Sequence, residues 1–109
     1  MLEGLWIIRF HGPAGSGGGV VVFTKGKILG GDNGFAFFGP YEAKGDSITG
    51  KVFVKNFEPE IPSVFGLPGD YEITLDAKVV KEGMIEGSAG IAAFPDTKIV
   101  FHGTLLYKL

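Results

Sequence analysis

The chain lacks cysteine and has no concentrated positive charge, and each absence excludes a class of function. Without Cys there are no disulfides, no thiol nucleophiles and no thiolate metal ligands. The 10 Lys and Arg residues are scattered singly between Arg9 and Lys108, and the formal net charge is −2. Direct nucleic-acid binding is therefore disfavoured, because it needs a stripe of cations to neutralise phosphates.

Long apolar runs are also missing. The longest ones, such as residues 20–23 and 90–94, are far shorter than the roughly 18–20 residues of a membrane-spanning helix. Glu3 stands where a secretory signal would carry Lys or Arg, and Arg9 interrupts any apolar segment that follows. We therefore expect a cytoplasmic protein with no membrane partner.

The chain does contain a clear two-residue alternation of apolar and polar side chains. Its length of 109 residues fits one domain, residues 1–109. The alternation predicts strands at about 5–11, 19–24, 28–31, 35–41, 48–55, 71–78, 85–93 and 98–108. Most connections are too short for parallel crossovers. With small residues at inward positions such as Gly50, Gly87 and Gly103, the pattern predicts an all-β fold, a closed eight-stranded antiparallel up-and-down β-barrel.

The irregular segments give further expectations. The glycine-rich residues 12–19 precede a strand rather than a Lys-Ser/Thr helix start, so a flexible hairpin loop is predicted, not a phosphate loop. Residues 95–97 read as a turn, and the Pro-rich residues 58–69 as a long connection with at most one helical turn, capped by Ser63. Gly30, Gly31 and Asp32 are interpreted as an Asx-type turn in preference to a carboxylate site, since Asp32 has no spaced acidic partner.

Catalytic chemistry is sparse. The chain has two histidines, His11 and His102, near opposite ends of the sequence, and its serines lack the context of a nucleophile elbow. We therefore expect no enzyme activity, no metal and no cofactor.

Aromatic residues point to binding instead. Gly4-Leu5-Trp6 on the first strand resembles the Gly-x-Trp motif of lipocalins, whose Trp closes one end of a ligand barrel. Trp6, Phe10, Tyr71 and Phe101 are predicted to face the barrel interior. They either line a site for a small apolar ligand or fill the interior outright.

A second binding feature is apolar residues at outward positions. Phe53 lies between two lysines, Phe57 follows on the same segment, and Leu106 faces outward on the last strand. If these side chains form one contiguous patch, an isologous homodimer is the expected use.

Most of the chain also resembles a known family. Glu3-Gly4-Leu5-Trp6, Gly30-Gly31-Asp32 and Ile61-Pro62-Ser63-Val64, at their spacing, are similar to the GrlR family of type III secretion negative regulators. The resemblance implies an eight-stranded lipocalin-like barrel that dimerises and acts without catalysis, by holding a transcriptional activator away from DNA.

The family's partner loop is an exposed alternating Glu-Asp run before the fifth strand. The matching residues here, 42–46, keep Glu42 and Asp46 but place a Lys between them. The resemblance makes Glu42 and Asp46 the candidates for contact with a protein partner. Two hypotheses therefore stand, a regulator that works by protein contact and a carrier of a small apolar ligand.

Overall fold

The computed structural model describes residues 2–109, which form a closed barrel of eight antiparallel strands. The strands are β1 (Gly4–Gly12), β2 (Gly15–Thr24), β3 (Lys27–Gly31), β4 (Phe35–Lys44), β5 (Ser47–Asn56), β6 (Tyr71–Lys81), β7 (Met84–Ile91) and β8 (Phe94–Lys108). Each strand pairs with the next along the chain, and β8 returns to pair with β1. The predicted fold class is confirmed. No helix among the described residues is long and apolar enough to cross a membrane.

Two-residue alternation places the apolar side chains inside the barrel. Trp6, Ile48 and Ile85 are the largest fully buried side chains, each 1% exposed. The predicted inward positions of β5 and β6 face the core, whereas their Lys, Glu and Asp residues face solvent.

The two ends of the barrel differ. The loop end carries the turns at 13–14, 32–34 and 92–93 and the long connection 57–70. The Trp6 end carries the turns at 25–26, 45–46 and 82–83, together with residues 2–3 and Leu109.

The glycine-rich segment is not a loop, which corrects the prediction. Residues 15–19 belong to β2 and pair with β1, Gly17 standing opposite Phe10, so that only Pro13 and Ala14 form the turn. A Cβ on Gly17 would lie 2.7 Å from Cε1 of Phe10. A side chain at position 17 would therefore force the Phe10 ring to move, because the ring occupies that space.

The last hairpin also departs from the prediction. Its turn is Ala92-Ala93 rather than residues 95–97. Residues 95–97 belong to β8 and form a bulge there, because Ile91 pairs with Phe94 and the next residue of β7, Gly90, pairs with Lys98. Ala93 therefore does not share the inward face of β7.

A second irregularity shifts the register between β1 and β8 at Leu5 and Trp6. Beyond it Tyr107 lies opposite Leu5 and is 67% exposed, although plain alternation predicts an inward side chain. The bulge reverses the side-chain phase near the end of the strand.

Pro40 lies inside β4, a position that the sequence disfavours for a central strand. The pairing of β4 with β5 stops at Phe38 and resumes at Tyr41, so Pro40 sits at a gap in that ladder. The gap lies where Pro40, which has no N–H, cannot donate a hydrogen bond to β5.

Candidate functional site

A cavity of about 220 Å³ lies inside the barrel. All eight strands contribute to its wall, and the deeper part is apolar. Apolar residues of the wall include Ile48, Val52, Leu75, Ile85, Ala89 and Ile99. The interior of the barrel is therefore not packed solidly with side chains.

Trp6 closes the barrel at the end opposite the opening. Its indole Nε1 donates a hydrogen bond to the Leu2 carbonyl oxygen at 2.8 Å, and its ring packs 5.9 Å from that of Phe23. Trp6 faces the barrel interior as predicted, but it is not among the residues that line the cavity. The residue lies at the start of β1, where it fills the Trp6 end instead.

Phe10, Tyr71 and Phe101 do line the cavity, as predicted. Phe10 meets the ring of Phe37 edge-on with centroids 6.2 Å apart, and Tyr71 meets Phe65 edge-on at 5.4 Å. These contacts hold the rings against the wall. A cavity remains beside these rings, so they do not fill the interior completely.

The connection 57–70 folds across the loop end as a cover. Its Val64 carbonyl accepts a hydrogen bond from the Ala14 N–H at 3.0 Å, and the Phe57 N–H donates to the Gly34 carbonyl at 3.0 Å. Phe65 is buried in the core. The segment has no helical turn. It contains two turns, one closed by the hydrogen bond from the Ile61 N–H to the Glu58 carbonyl and one by that from the Gly66 N–H to the Ser63 carbonyl.

Ser63 and Tyr71 form the polar anchor of this cover. Their hydroxyl oxygens lie 2.7 Å apart, and the Ser63 Oγ also accepts a hydrogen bond from the Phe65 N–H at 3.0 Å. Burial raises the pKa of Tyr71, and the nearby charge of Asp32 raises that pKa further, although the bond to Ser63 partly offsets both effects. Tyr71 is therefore an uncharged hydroxyl at the cavity wall at neutral pH.

Asp32 stands at the same end and makes the predicted Asx turn. Its Oδ1 accepts hydrogen bonds from the N–H groups of Gly34 and Phe35, both at 2.9 Å. Gly30 and Gly31, however, belong to β3 rather than to the turn. A Cβ on Gly30 would come within 2.6 Å of the Val21 Cα, so close strand approach explains that glycine.

The opening of the cavity lies beside the first half of β2. Ser16, Gly17, Gly18 and Asn33 line the cavity and are exposed to solvent. The pairing of β2 with β3 begins only at Val20, so residues 15–19 have no strand partner on that side. The gap between these residues and the β3–β4 turn is the path by which the cavity meets solvent.

Glu42 and Asp46, the candidates for partner contact, lie far from this opening. Both are exposed, Glu42 near the end of β4 and Asp46 in the turn that follows, at the Trp6 end. The backbone carbonyl of Asp46 accepts a hydrogen bond from the Val79 N–H at 2.8 Å, which fixes the turn. Their role in binding stays a prediction.

The three outward apolar residues do not form one compact patch. Phe57 lies at the loop end, and Leu106 lies on β8, away from Phe53 on β5. Phe53 has other neighbours: its ring centroid is 5.3 Å from that of Phe38, which pairs in turn with Leu29. Leu29, Phe38 and Phe53 are all exposed, and we call them the apolar row.

The two histidines lie close together on the outer surface. The ring centroids of His11 and His102 are 6.2 Å apart, and His11 Nδ1 is 2.7 Å from the Ser16 Oγ. Within residues 2–109, no group of three or more His, Asp or Glu side chains is placed to hold a metal ion.

Comparison with known protein families finds no match for this chain, and comparison with curated proteins finds none either. The resemblance to the GrlR family stays a prediction.

Proposed function

We propose that the protein is a non-catalytic binding protein whose barrel interior holds a small apolar ligand. The observation that supports this is the apolar cavity, about 220 Å³ in volume and open at the loop end. A cavity of about 150 Å³ holds benzene, so by proportion this one has room for about nine non-hydrogen atoms.

The apolar side chains of the cavity wall explain why a ligand would bind there. Side chains around an empty cavity have no partner atoms on one side and lose dispersion contacts, which a ligand restores. Removing the ligand's apolar surface from water adds roughly 25 cal/mol per Å². A molecule that fits the space is therefore bound without any charged contact.

The test is a titration with toluene, followed by the ¹³C methyl signals of isoleucine. Ile48, Ile85 and Ile99 line the cavity, whereas Ile7 lies in the outward register of β1 opposite Val20. We expect saturable shifts of the first three signals and none of the Ile7 signal. Absence of saturable shifts at the cavity methyls would contradict the proposal.

A matched pair of variants assigns the site. Ala89 lines the cavity and is 2% exposed, whereas Ala92 is exposed in the β7–β8 turn. Ala89→Leu adds carbon atoms inside the cavity and should abolish the shifts, and Ala92→Leu adds the same atoms outside and should leave them intact. Binding that survives Ala89→Leu would place the ligand elsewhere.

A second candidate function is that of a cytoplasmic regulator that acts by protein contact, as the GrlR resemblance implies. The apolar row favours it, because adjacent exposed apolar side chains on one sheet face are typical of an interface. The occupant we propose is a second copy of this chain, which gives an isologous dimer.

Light scattering during gel filtration tests this candidate. Phe53→Glu should convert a dimer to a monomer, while Val100→Glu, an equal change at an exposed apolar residue of β8, should leave the dimer intact. A wild-type monomer at all concentrations would contradict the candidate.

The partner loop of this second candidate has its own test. Replacing Glu42 and Asp46 together by Lys should reduce co-purification of a protein partner without unfolding the barrel, because both side chains are exposed. Unchanged co-purification would exclude them from partner contact.

A further inference from the structure

The cavity is chemically polarised along its length. Its deep part, around Ile48 and Ile85, is apolar, whereas the polar side chains in its wall, Ser16, Asp32, Asn33, Ser63 and Tyr71, lie in or beside the loop end. A ligand with a polar group would therefore place that group at the opening and its apolar part inside.

The charge at the opening has one sign. Among the described residues that line the cavity, Asp32 alone carries a charge, and no Lys or Arg is present. The nearest basic residues of the neighbouring strands are turned outward: Arg9 pairs with His102 on the outer surface, and Lys55 binds Asp70 at 3.3 Å. An anionic ligand group would meet negative charge without a compensating cation.

The Asp32 carboxylate is fixed by two hydrogen bonds and can still accept further ones from a ligand. Both hydrogen bonds that this carboxylate accepts within residues 2–109 end on Oδ1, from Gly34 and Phe35. The other oxygen, Oδ2, keeps its lone pairs, since an ionised carboxylate offers about four acceptor positions. Asp32 is partly exposed and lines the opening.

Resting on the proposed function, we propose that the ligand is an amphiphile bound with its polar end at Asp32 and its apolar chain toward Ile85. The polar end is a hydrogen-bond donor without negative charge, and a primary amine is preferred to an alcohol. An ammonium group gains a charge-assisted hydrogen bond to the carboxylate, and a hydroxyl gains a neutral one. A carboxylate of the same chain length gains neither and is repelled. Fatty acids are therefore poor ligands of this barrel.

The test compares three probes of equal chain length, heptylamine, heptan-1-ol and heptanoate, at neutral pH, with toluene as the apolar reference. Binding is measured from the methyl signals of Ile48, Ile85 and Ile99, which line the cavity. We expect heptylamine to bind at least about tenfold more tightly than heptanoate, with heptan-1-ol between them.

Asp32→Asn isolates the charge, because Asn supports the same Asx turn. The matched control is Asp76→Asn, the same change at an exposed residue of β6 that does not line this cavity. We expect Asp32→Asn to bring the affinities of the amine and the acid together, and Asp76→Asn to leave their ratio unchanged.

Two results overturn the inference while leaving the proposed function intact: heptanoate binding as tightly as heptylamine, or an amine preference that survives Asp32→Asn. If toluene and all three probes fail to shift the cavity methyls, the proposed function fails together with the inference.

Discussion

The hydroxyl oxygens of Ser63 and Tyr71 lie 2.7 Å apart and join the connection 57–70 to the first residue of β6. Ser63 is 4% exposed and is the one buried polar side chain in the described chain. Because a buried hydroxyl without a partner is costly, this contact fixes the cover over the cavity.

Removing that contact should destabilise the fold. Tyr71→Phe keeps the ring and its packing on Phe65 but leaves Ser63 without its hydroxyl partner, and we expect a loss of about 1 kcal/mol in the free energy of unfolding. Urea denaturation measures it. Tyr107→Phe, at a side chain that is 67% exposed, is the control and should change stability by no more than a few tenths of a kcal/mol. Equal effects of the two variants would contradict this role of Tyr71.

Alkaline pH should weaken the fold through the same residue. Burial raises the pKa of Tyr71 above its ordinary value of 10.0 in the folded chain, so the unfolded chain loses that proton first as the pH rises. The stabilisation is present in full below pH 10.0 and is lost as the pH rises through the folded-state pKa.

Urea denaturation on both sides of this pH tests the effect. Tyr71→Phe should show a smaller loss of stability than the wild type. A residual loss is expected in the variant because burial also raises the pKa of Tyr41. An identical loss in the wild type and in Tyr71→Phe would exclude Tyr71 as a source of the pH dependence.

Close strand approach at Gly87 gives a prediction about the barrel wall. A Cβ there would lie 2.6 Å from the Ala77 Cα, whereas the nearest atom to a Cβ on Gly90 of the same strand is 3.6 Å away. Gly87→Ala should cost about 1–3 kcal/mol because β6 and β7 must separate. Gly90→Ala should be close to neutral in urea denaturation, and a larger loss at Gly90 than at Gly87 would contradict the explanation.

The empty interior should accept an added side chain. Ala89→Leu places carbon atoms in the cavity, and cavity-filling changes of this kind commonly add about 0.5–2 kcal/mol. Thermal unfolding should therefore show an unchanged or raised Tm for Ala89→Leu relative to Ala92→Leu. A clear fall in Tm for Ala89→Leu alone would indicate that the wall is already fully packed.

The strand order and the inward faces were predictable because alternation is strong in β5 and β6, where inward apolar residues alternate with outward residues that are mostly polar or charged. The glycine segment at the start of β2 was not, since Gly carries no side chain to show alternation and its strand state depends on pairing with Phe10. Tyr107 was misplaced for a related reason. A bulge reverses the side-chain phase, and the residues themselves do not reveal it.

The site was predictable in part. The inward-facing positions of Phe10, Tyr71 and Phe101 follow from the two-residue alternation, and these side chains line the cavity. Trp6 also faces inward but fills the closed end. Alternation could not predict this, because the position of a residue along the barrel axis depends on how the strands are staggered. The contact of Ser63 with Tyr71 was missed because a connection without periodicity gives no signal of where it folds back. The one available hint was an apolar Val64-Phe65 pair in an otherwise Pro-rich connection.

The most direct test of a ligand-binding interior is the toluene titration of the isoleucine methyl signals. The account predicts saturable shifts at Ile48, Ile85 and Ile99, no shift at Ile7, and loss of all shifts in Ala89→Leu but not in Ala92→Leu. Cavity methyl signals that do not move with toluene or with any of the heptyl probes would contradict it.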